Sequence, residues 1–522
     1  MRFLKSAACV SAALAFTACG VNPVTGKREL QFVSEAQEIQ IGEQNYAPAR
    51  QAEGGPVEVM PELTTYVAAV GGRLAKVADR QLPYEFTVLN NSVPNAWALP
   101  GGKIAVNRGL LTELHNEAEL AAVLGHEIVH AAARHGAKAQ ERGTLMQAGL
   151  AVAQIGATVG GVDSDVAGIA VSGAGIGLQM AQMKYGRDQE LEADHFGMKY
   201  MKAAGYDPTA AVTLQETFVR ITQEKGKEQG FFERMFASHP PSTERVEKNK
   251  EMLATLGAGG ELGADTYREH IAALLKAKPA YDKFDAATAA MNKKDYAAAK
   301  SLATEAHKLL PTEGRFLELL GEVEVEQKHY PEALPYFEQA IQYNPKYFGS
   351  YLGGGIAQYH LGDKAKAQDW LKRSQDLLPT APAAYYLGKF AQERGDTAVA
   401  LAQFRSAADS QSSYGQLAAK EFVTLDLPEH PEQYVAAAAR VDESGRIVVV
   451  VQNRAPLALS DIRLTPVLVD AAGRVAQSGT TLRVPGSVNA GEQIVLHAGL
   501  GSLTAAEFNA LRFRIDGAKV AE

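Results

Sequence analysis

Cysteine is almost absent from this chain. Its 522 residues include only Cys9 and Cys19, and both lie within the first 19 positions. Arg2 and Lys5 precede an apolar stretch at 7–18, a pattern typical of a cleaved export signal. At about a dozen residues the stretch is too short for a permanent membrane span, which needs roughly 20. Removal of the signal leaves at most Cys19, so the mature chain is predicted to hold no intramolecular disulfide.

The chain also has no long basic run and no clean hydrophobic span. Its net charge is −8, with 46% hydrophobic and 21% charged residues, which is the composition of an ordinary globular protein. Without a basic patch we expect no nucleic-acid partner. The glycine- and alanine-rich stretch 143–183 is interrupted by Asp163 and Asp165, which excludes a simple transmembrane helix. A core helical hairpin, a membrane-surface segment and a mobile lid remain open for it.

The end of the signal resembles a bacterial lipobox. Phe16-Thr17-Ala18-Cys19-Gly20 places a cysteine where the apolar stretch ends, although Phe16 stands where leucine is usual. The alternative is an ordinary signal cut near Ala18. Gly20 is not the aspartate that retains such lipoproteins in the inner membrane. We therefore predict a signal with lipobox at 1–19, a linker at 20–33, a lipid anchor on Cys19, and a periplasmic, outer-membrane location.

A repeat of 34 residues organises the middle of the chain. Pro311, Pro345 and Pro379 are 34 residues apart, and each follows a helical pattern with small alanines at packing positions. This period is the signature of tetratricopeptide repeats. We predict roughly four helix pairs over 277–427, stacked as an α-solenoid with a concave binding face.

The segments on either side of the repeats have different patterns. Residues 34–257 mix long helices with a few strands, whereas 432–522 alternate as short strands separated by glycine turns. We interpret the second of these segments as a small β-sandwich-like module that serves docking or interaction.

One helix carries a potential metal site. Asn116 and Glu119 have the spacing of an N-terminal capping box, and apolar residues continue at helical spacing beyond them. On this helix His126 and His130 lie one turn apart and within about 40° of each other, so both imidazoles can bind one Zn²⁺. Glu127 lies beside them, where it can take a proton from a zinc-activated water. A pair of surface histidines is the alternative, but the apolar flanks argue against it.

A catalytic zinc needs a third protein ligand and an open position. Glu190 and Asp194 share a helix face, whereas Glu192 is turned about 200° away from Glu190. We assign Glu190 as the ligand and Asp194 as the acceptor that orients a ligand histidine. A solvated acidic face is the alternative interpretation of this segment. His135 lies about 140° round the helix from His130, so a core or capping hydrogen bond suits it better than a ligand role.

The motifs together resemble the gluzincin metallopeptidase family that includes HtpX and the CAAX prenyl protease. The matching segments follow the family order from about 21 to 256: 22–26, 95–102, 126–130, 187–194 and 238–245. With the repeats added, the plan is similar to that of the periplasmic β-barrel assembly-enhancing proteases. Two features depart from the family: Gly186 replaces the usual serine, and the C-terminal β-module lies outside the closest plan.

The resemblance implies a role for each matching residue. His126, His130 and Glu190 would be the zinc ligands, with Glu127 as the general base. Residues 95–102 would form an edge strand that pairs with an extended substrate. His239 matches a histidine that approaches the zinc and holds relatives latent, and the resemblance makes Arg245 structural. A plain loop position is the alternative for His239.

The predicted fold class is therefore multidomain. It joins a mainly helical α+β zincin-type metalloprotease domain at 34–257, the tetratricopeptide solenoid and the β-module. The predicted function is zinc-dependent endoproteolysis of misfolded or stalled envelope and outer-membrane proteins, with one catalytic Zn²⁺. Predicted partners are unfolded or extended polypeptides and, through the repeats, the outer-membrane assembly machinery. The alternative is a latent or non-proteolytic scaffold acting through the repeats. A membrane-embedded prenyl protease is disfavoured because transmembrane helices are missing.

Overall fold

The computed structural model describes residues 19–139, 141, 184–224, 239–497 and 503–521. The predicted signal before Cys19 and the stretch 143–183 lie outside the described residues. The chain divides into two compact units, the first ending at Pro379 and the second beginning at Thr380. Within the described ranges, every helix is too short or too polar to cross a membrane. The division at 379 falls inside the predicted repeats, not at either of their ends.

The first unit begins with mixed structure and continues as helices. Its strands are β1 Cys19–Val21, β2 Arg28–Leu30, β3 Glu85–Leu89, β4 Ala96–Leu99 and β5 Lys103–Asn107. Among the described residues up to 270, its helices are α1 Glu35–Ala52, α2 Pro61–Ala75, α3 Arg108–Leu111, α4 Glu117–Ala132, α5 Arg187–Ala203, α6 Thr209–Glu224, α7 Thr243–Leu256 and α8 Ala264–His270. The next six are α9 Ala272–Asn292, α10 Tyr296–Leu309, α11 Gly314–Glu326, α12 Tyr330–Tyr343, α13 Phe348–Leu361 and α14 Lys364–Leu377.

A three-stranded sheet places β4 at an edge. β5 lies in the centre, parallel to β3 and antiparallel to β4. The amide of Asn107 donates to the carbonyl of Asn95 at 2.8 Å, which fixes the phase of the β4–β5 ladder. Because hydrogen-bonded and non-hydrogen-bonded pairs alternate in an antiparallel ladder, the backbone groups of Ala96 and Ala98 point away from β5. β4 therefore directs the backbone groups of two residues toward its open side.

Helix α4 is buried on every side. Its N-cap Asn116 accepts from the backbone N–H of Glu119, and every residue from Ala118 to Ala132 is buried. The cap satisfies one of the amides that a helix leaves unpaired at its start. A helix that is apolar around its whole circumference belongs inside a core, and α4 packs between the sheet and α5. This placement buries His126 and His130 away from solvent.

The 34-residue period appears as helix pairs. The first unit contains three of them, α9 with α10, α11 with α12, and α13 with α14, and each pair packs antiparallel across a short turn. The second unit continues with α15 Ala381–Glu393, α16 Thr397–Ala408 and α17 Ser413–Asp426. Asp295, Asp363 and Asp396 cap the second helices of their pairs through their side chains. The first repeat helix begins at Ala272, before the predicted boundary at 277.

A buried carboxyl in the repeats makes stability depend on pH. Glu318 of α11 lies 3.1 Å from the Arg315 Nε and accepts a 3.4 Å hydrogen bond from the Ser350 hydroxyl. Burial raises the pKa of Glu318 from an ordinary 4.5 to about 8. The folded chain then holds a proton that the unfolded chain releases near pH 4.5, so the contribution of this group to stability is lost as the pH rises to about 8.

Glu318→Gln is therefore expected to raise the melting temperature by about 2 °C or more at pH 8 and to change it little at pH 5. Thermal melts of the parent and the variant at both pH values measure this difference. Glu326→Gln is the control, because Glu326 is exposed on the same helix. A shift of equal size at both pH values would contradict the burial argument.

The second unit ends in two antiparallel sheets. After α18 Pro431–Tyr434 the strands are β6 Val435–Val441, β7 Ile447–Asn453, β8 Leu459–Val469, β9 Val475–Ser478, β10 Leu482–Arg483, β11 Ser487–Val488, β12 Gln493–Leu496 and, after α19 Ala505–Ala510, β13 Leu511–Val520. One sheet has the order β12-β7-β6, and β8 is the centre of the other. Val449, Val451 and Leu464 lie in one core cluster. The four consecutive alanines of β6 have low strand propensity, and pairing with β7 holds them extended.

Candidate metal centre

The two predicted metal-binding segments meet inside the first unit. Helices α4 and α5 pack against each other and bring Glu190 to the face of α4 that carries His126 and His130. The two Nε2 atoms lie 3.0 Å apart, and the Glu190 oxygens lie 3.5 Å from His126 Nε2 and 3.4 Å from His130 Nε2. With His239, these side chains offer four ligand atoms that all lie within 4.8 Å of one another.

This arrangement fits a bound cation. Burial opposes a charge on His126, but the carboxylates of Glu190 and Asp194 outweigh it and raise the pKa of His126 to about 10. The cluster therefore favours a positive charge at its centre. Glu190 Oε2 is buried and makes no hydrogen bond of normal geometry, although Arg245 Nη1 lies 2.9 Å away. Two imidazoles and a carboxylate around one point are the donor set of a catalytic zinc site.

A carboxylate holds the first histidine in place. His126 Nδ1 lies 2.9 Å from Asp194 Oδ1, so its Nε2 faces the cluster. Arg245 donates to both oxygens of Asp194, at 2.7 Å from Nε and 2.8 Å from Nη2. Burial by itself raises the pKa of Asp194, but the Arg245 guanidinium outweighs it and the net pKa is lowered. Asp194 stays ionised and orients the histidine, as is usual behind metal-binding imidazoles.

A second chain of contacts holds the other histidine. His130 Nδ1 lies 2.8 Å from His135 Nδ1, and His135 Nε2 lies 3.2 Å from Glu192 Oε1. Burial lowers the pKa of His130, which favours the neutral imidazole that binds a metal. Sequence reasoning gave Glu192 no role, because it considered only the face of α5 that carries Glu190. His135 makes a core hydrogen bond, and its partner is the predicted ligand His130.

Glu127 lies beside the cluster in a protected position. It is buried, and its Oε2 atom has no hydrogen-bond partner among the described residues. Burial raises the pKa of Glu127 above its ordinary value. A carboxylate whose pKa moves toward neutral is suited to accept a proton and to return it.

His239 and Tyr185 also lie against the cluster. His239 Nδ1 lies 3.0 Å from Glu190 Oε1 and 3.3 Å from His126 Nε2, while its Nε2 lies 3.5 Å from Glu127 Oε1. The Tyr185 ring stacks on His130 with ring centroids 3.8 Å apart. Its hydroxyl lies 3.5 Å from the Ala98 carbonyl, on the open side of β4. No motif in the sequence singled out Tyr185.

The α4–α5 crossing depends on two glycines. A Cβ on Gly197 would lie 3.0 Å from the backbone nitrogen of His126 and 3.2 Å from the carbonyl carbon of Gly125. Gly197→Ala is expected to push α5 away from α4, lowering the melting temperature by several degrees and weakening metal binding. Gly72→Ala is the control, because no neighbouring atom lies within 4 Å of that Cβ and alanine favours a helix. Equal melting temperatures for Gly197→Ala and the parent would contradict the close-packing argument.

The repeat helices hold the loop that leads into β4. Asn90 donates to Glu313 Oε2 at 3.0 Å, and the same oxygen accepts from the Tyr281 hydroxyl at 2.7 Å. Arg108 Nε donates to Asn90 Oδ1 at 2.8 Å, with its guanidinium 3.4 Å above the Tyr281 ring. Ser92 donates to Asp285 at 2.8 Å. A buried network therefore joins the first repeats to the segment from which the edge strand starts.

Comparison with known proteins gives two family matches. Peptidase family M48 matches residues 61–253, and a tetratricopeptide repeat matches residues 324–389. The first match covers both helices of the metal centre.

Three relatives are similar to part of the chain. Mitochondrial metalloendopeptidase OMA1 of Schizosaccharomyces pombe is 30% identical, covering 49% of this chain and 72% of that protein. Metalloprotease YcaL of Escherichia coli is 31% identical, covering 35% of this chain and 70% of that protein. The β-barrel assembly-enhancing protease of Escherichia coli is 29% identical over 37% of this chain, and the match spans only 40% of that protein.

Proposed function

The chain belongs to peptidase family M48 and is a metalloprotease, and we propose that it is a zinc-dependent endopeptidase of the bacterial envelope that degrades misfolded or stalled envelope proteins. The observation that carries this proposal is the convergence of His126, His130 and Glu190 on one buried point beside the protected carboxylate of Glu127. Members of the family use zinc, and the donor set of this chain suits that ion.

Each side chain of the centre has one task in the proposed reaction. His126, His130 and Glu190 would hold the zinc, which would polarise the scissile carbonyl and lower the pKa of a water. Glu127 takes the proton of the attacking water on a carboxylate oxygen and passes it to the leaving amine. Asp194 and His135 keep the two imidazoles directed at the cluster, and Arg245 keeps Asp194 ionised.

β4 is the proposed docking strand, and the substrate would pair along its open side. The backbone groups of Ala96 and Ala98 point away from β5, so an extended peptide can add to the sheet there. Only unfolded chains offer such backbone, which suits a protease for misfolded clients. The repeats are the proposed client-holding surface, and their contacts with Asn90 and Ser92 place them next to this strand.

Lipid anchoring on Cys19 and an outer-membrane location belong to the same proposal. The support for them is the lipobox-like sequence before Gly20 and the similarity to a β-barrel assembly-enhancing protease. Labelling of the expressed full chain with a radioactive fatty acid, with Cys19→Ala as the comparison, tests the anchor. Label retained in Cys19→Ala would show that the lipid is attached elsewhere.

Removal of the metal tests the proposed activity. The chain without residues 1–19 is expected to bind about one zinc and to cleave casein, to lose cleavage when a chelator removes the metal, and to regain it with added Zn²⁺. Zinc content is measured by elemental analysis and cleavage by gel. Cleavage that survives complete zinc removal would overturn the metalloprotease mechanism for this substrate.

A latent state is the second candidate, and the position of His239 favours it. His239 contacts Glu190, His126 and Glu127 at once, so it occupies the side from which a substrate carbonyl must approach. We therefore infer that His239 must move before cleavage. His239→Ala is expected to increase casein cleavage several-fold if the parent is latent. Loss of cleavage in that variant would instead give His239 a part in the reaction.

A further inference from the structure

A cavity of about 70 Å³ lies directly beside the proposed general base. Glu127 and His126 form part of its wall, and the rest comes mainly from α5 and α6. Protein interiors hold few voids larger than one water molecule. This volume has room for about five waters, each of which needs roughly 10–15 Å³ of such space.

The wall of the cavity is apolar over most of its area. Met198, Met201 and Leu214 are buried there, and Phe218 adds a partly buried ring. Methionine sulfur makes favourable contacts with aromatic rings and adapts to their shape. The wall therefore suits the ring of an aromatic side chain.

Polar side chains of the metal centre and its supports also line the cavity, and Gln215 lies apart from them on α6. Gln215 lines the cavity at 6% exposure, and its Oε1 atom is buried without a hydrogen-bond partner among the described residues. A buried amide oxygen without a partner lowers the stability of the fold. A ligand that supplies the missing hydrogen-bond partner offsets this loss. A hydroxyl both donates and accepts, so it pairs with either end of the amide.

An apolar ring with a hydroxyl at its tip matches this combination. We propose that the cavity binds a tyrosine side chain next to the cleaved bond of the substrate, and that Gln215 selects tyrosine over phenylalanine by hydrogen-bonding its hydroxyl. The proposal rests on the endopeptidase activity proposed above. It adds recognition of a substrate side chain. The metal-centre residues do not supply this recognition, because they act on the peptide backbone and on water.

Paired peptides test this specificity. Each pair differs only in tyrosine or phenylalanine at one position, placed on either side of a single cleavable bond, with mass spectrometry locating the cut. The parent is expected to prefer tyrosine on one side by about three- to tenfold in kcat/KM, the effect of one added hydrogen bond. The preference is a ratio within one enzyme, so it does not depend on the fraction that is folded.

Two substitutions at Gln215 separate the hydrogen bond from the shape of the cavity. Gln215→Leu is expected to reduce the ratio to about one, and Gln215→Glu, which keeps an acceptor, to preserve a preference for tyrosine. Binding of uncleaved peptides to the Glu127→Gln variant, followed by fluorescence anisotropy, gives a second readout that needs no turnover. The same three- to tenfold difference is expected there in Kd.

The outcomes distinguish the two proposals. If the parent cleaves no peptide, the endopeptidase proposal fails, while tighter binding of the tyrosine peptides to Glu127→Gln would still support the cavity. Equal cleavage and equal binding within each pair would overturn the tyrosine assignment. A tyrosine preference that survives in Gln215→Leu would overturn the role of Gln215.

Discussion

Glu127→Gln is expected to lower the rate of casein cleavage by about a hundred- to ten-thousandfold while zinc content stays near one per chain. Glutamine keeps the size of the side chain but cannot accept the proton of the attacking water. The Glu127 carboxylate is a proton acceptor in the proposed reaction and is not part of the ligand set of His126, His130 and Glu190. The variant therefore tests proton transfer independently of metal binding.

Glu62→Gln is the matched control, because Glu62 is exposed on α2 and undergoes the same acid-to-amide change. Zinc content, melting temperature and initial cleavage rate are measured for the parent and both variants. Cleavage by Glu127→Gln within threefold of the parent would remove Glu127 from the reaction. It would leave the zinc assignment untouched.

Glu190→Gln is expected to have the second large effect, the loss of most bound zinc after dialysis and of cleavage with it. The Glu190 side chain lies between two imidazoles and is 2% exposed. Burial by itself raises its pKa, but the nearby His239 and His126 outweigh burial and hold the pKa well below the ordinary range. An amide carries no charge to balance the metal, so affinity falls. Elemental analysis of dialysed protein measures the result.

Asp188→Asn supplies the control for Glu190→Gln. Asp188 lies two residues earlier on α5, and its side chain is 93% exposed. It is expected to retain about one zinc per chain. Stoichiometric zinc in Glu190→Gln would show that another group, with His239 the nearest, completes the ligand set.

Much of the centre could be predicted because its spacing is local. His126 and His130 are one helical turn apart by their sequence separation, and Glu190 and Asp194 share a face for the same reason. The 34-residue repeat of Pro311, Pro345 and Pro379 likewise predicted the helix pairs. In the Ala-rich strand β6, by contrast, composition says little, because the pairing partner β7 sets its conformation.

The sequence alone determined the composition of the metal centre and the order of the domain types, since helical periodicity and motif spacing depend only on near neighbours. The tertiary structure decided which distant groups meet. It set the 3.2 Å contact of His135 with Glu192, the approach of Gly197 to His126, and the cavity beside which Gln215 Oε1 has no partner among the described residues. These contacts join segments 50 or more positions apart or depend on how two helices cross. Local sequence patterns do not predict how two helices cross.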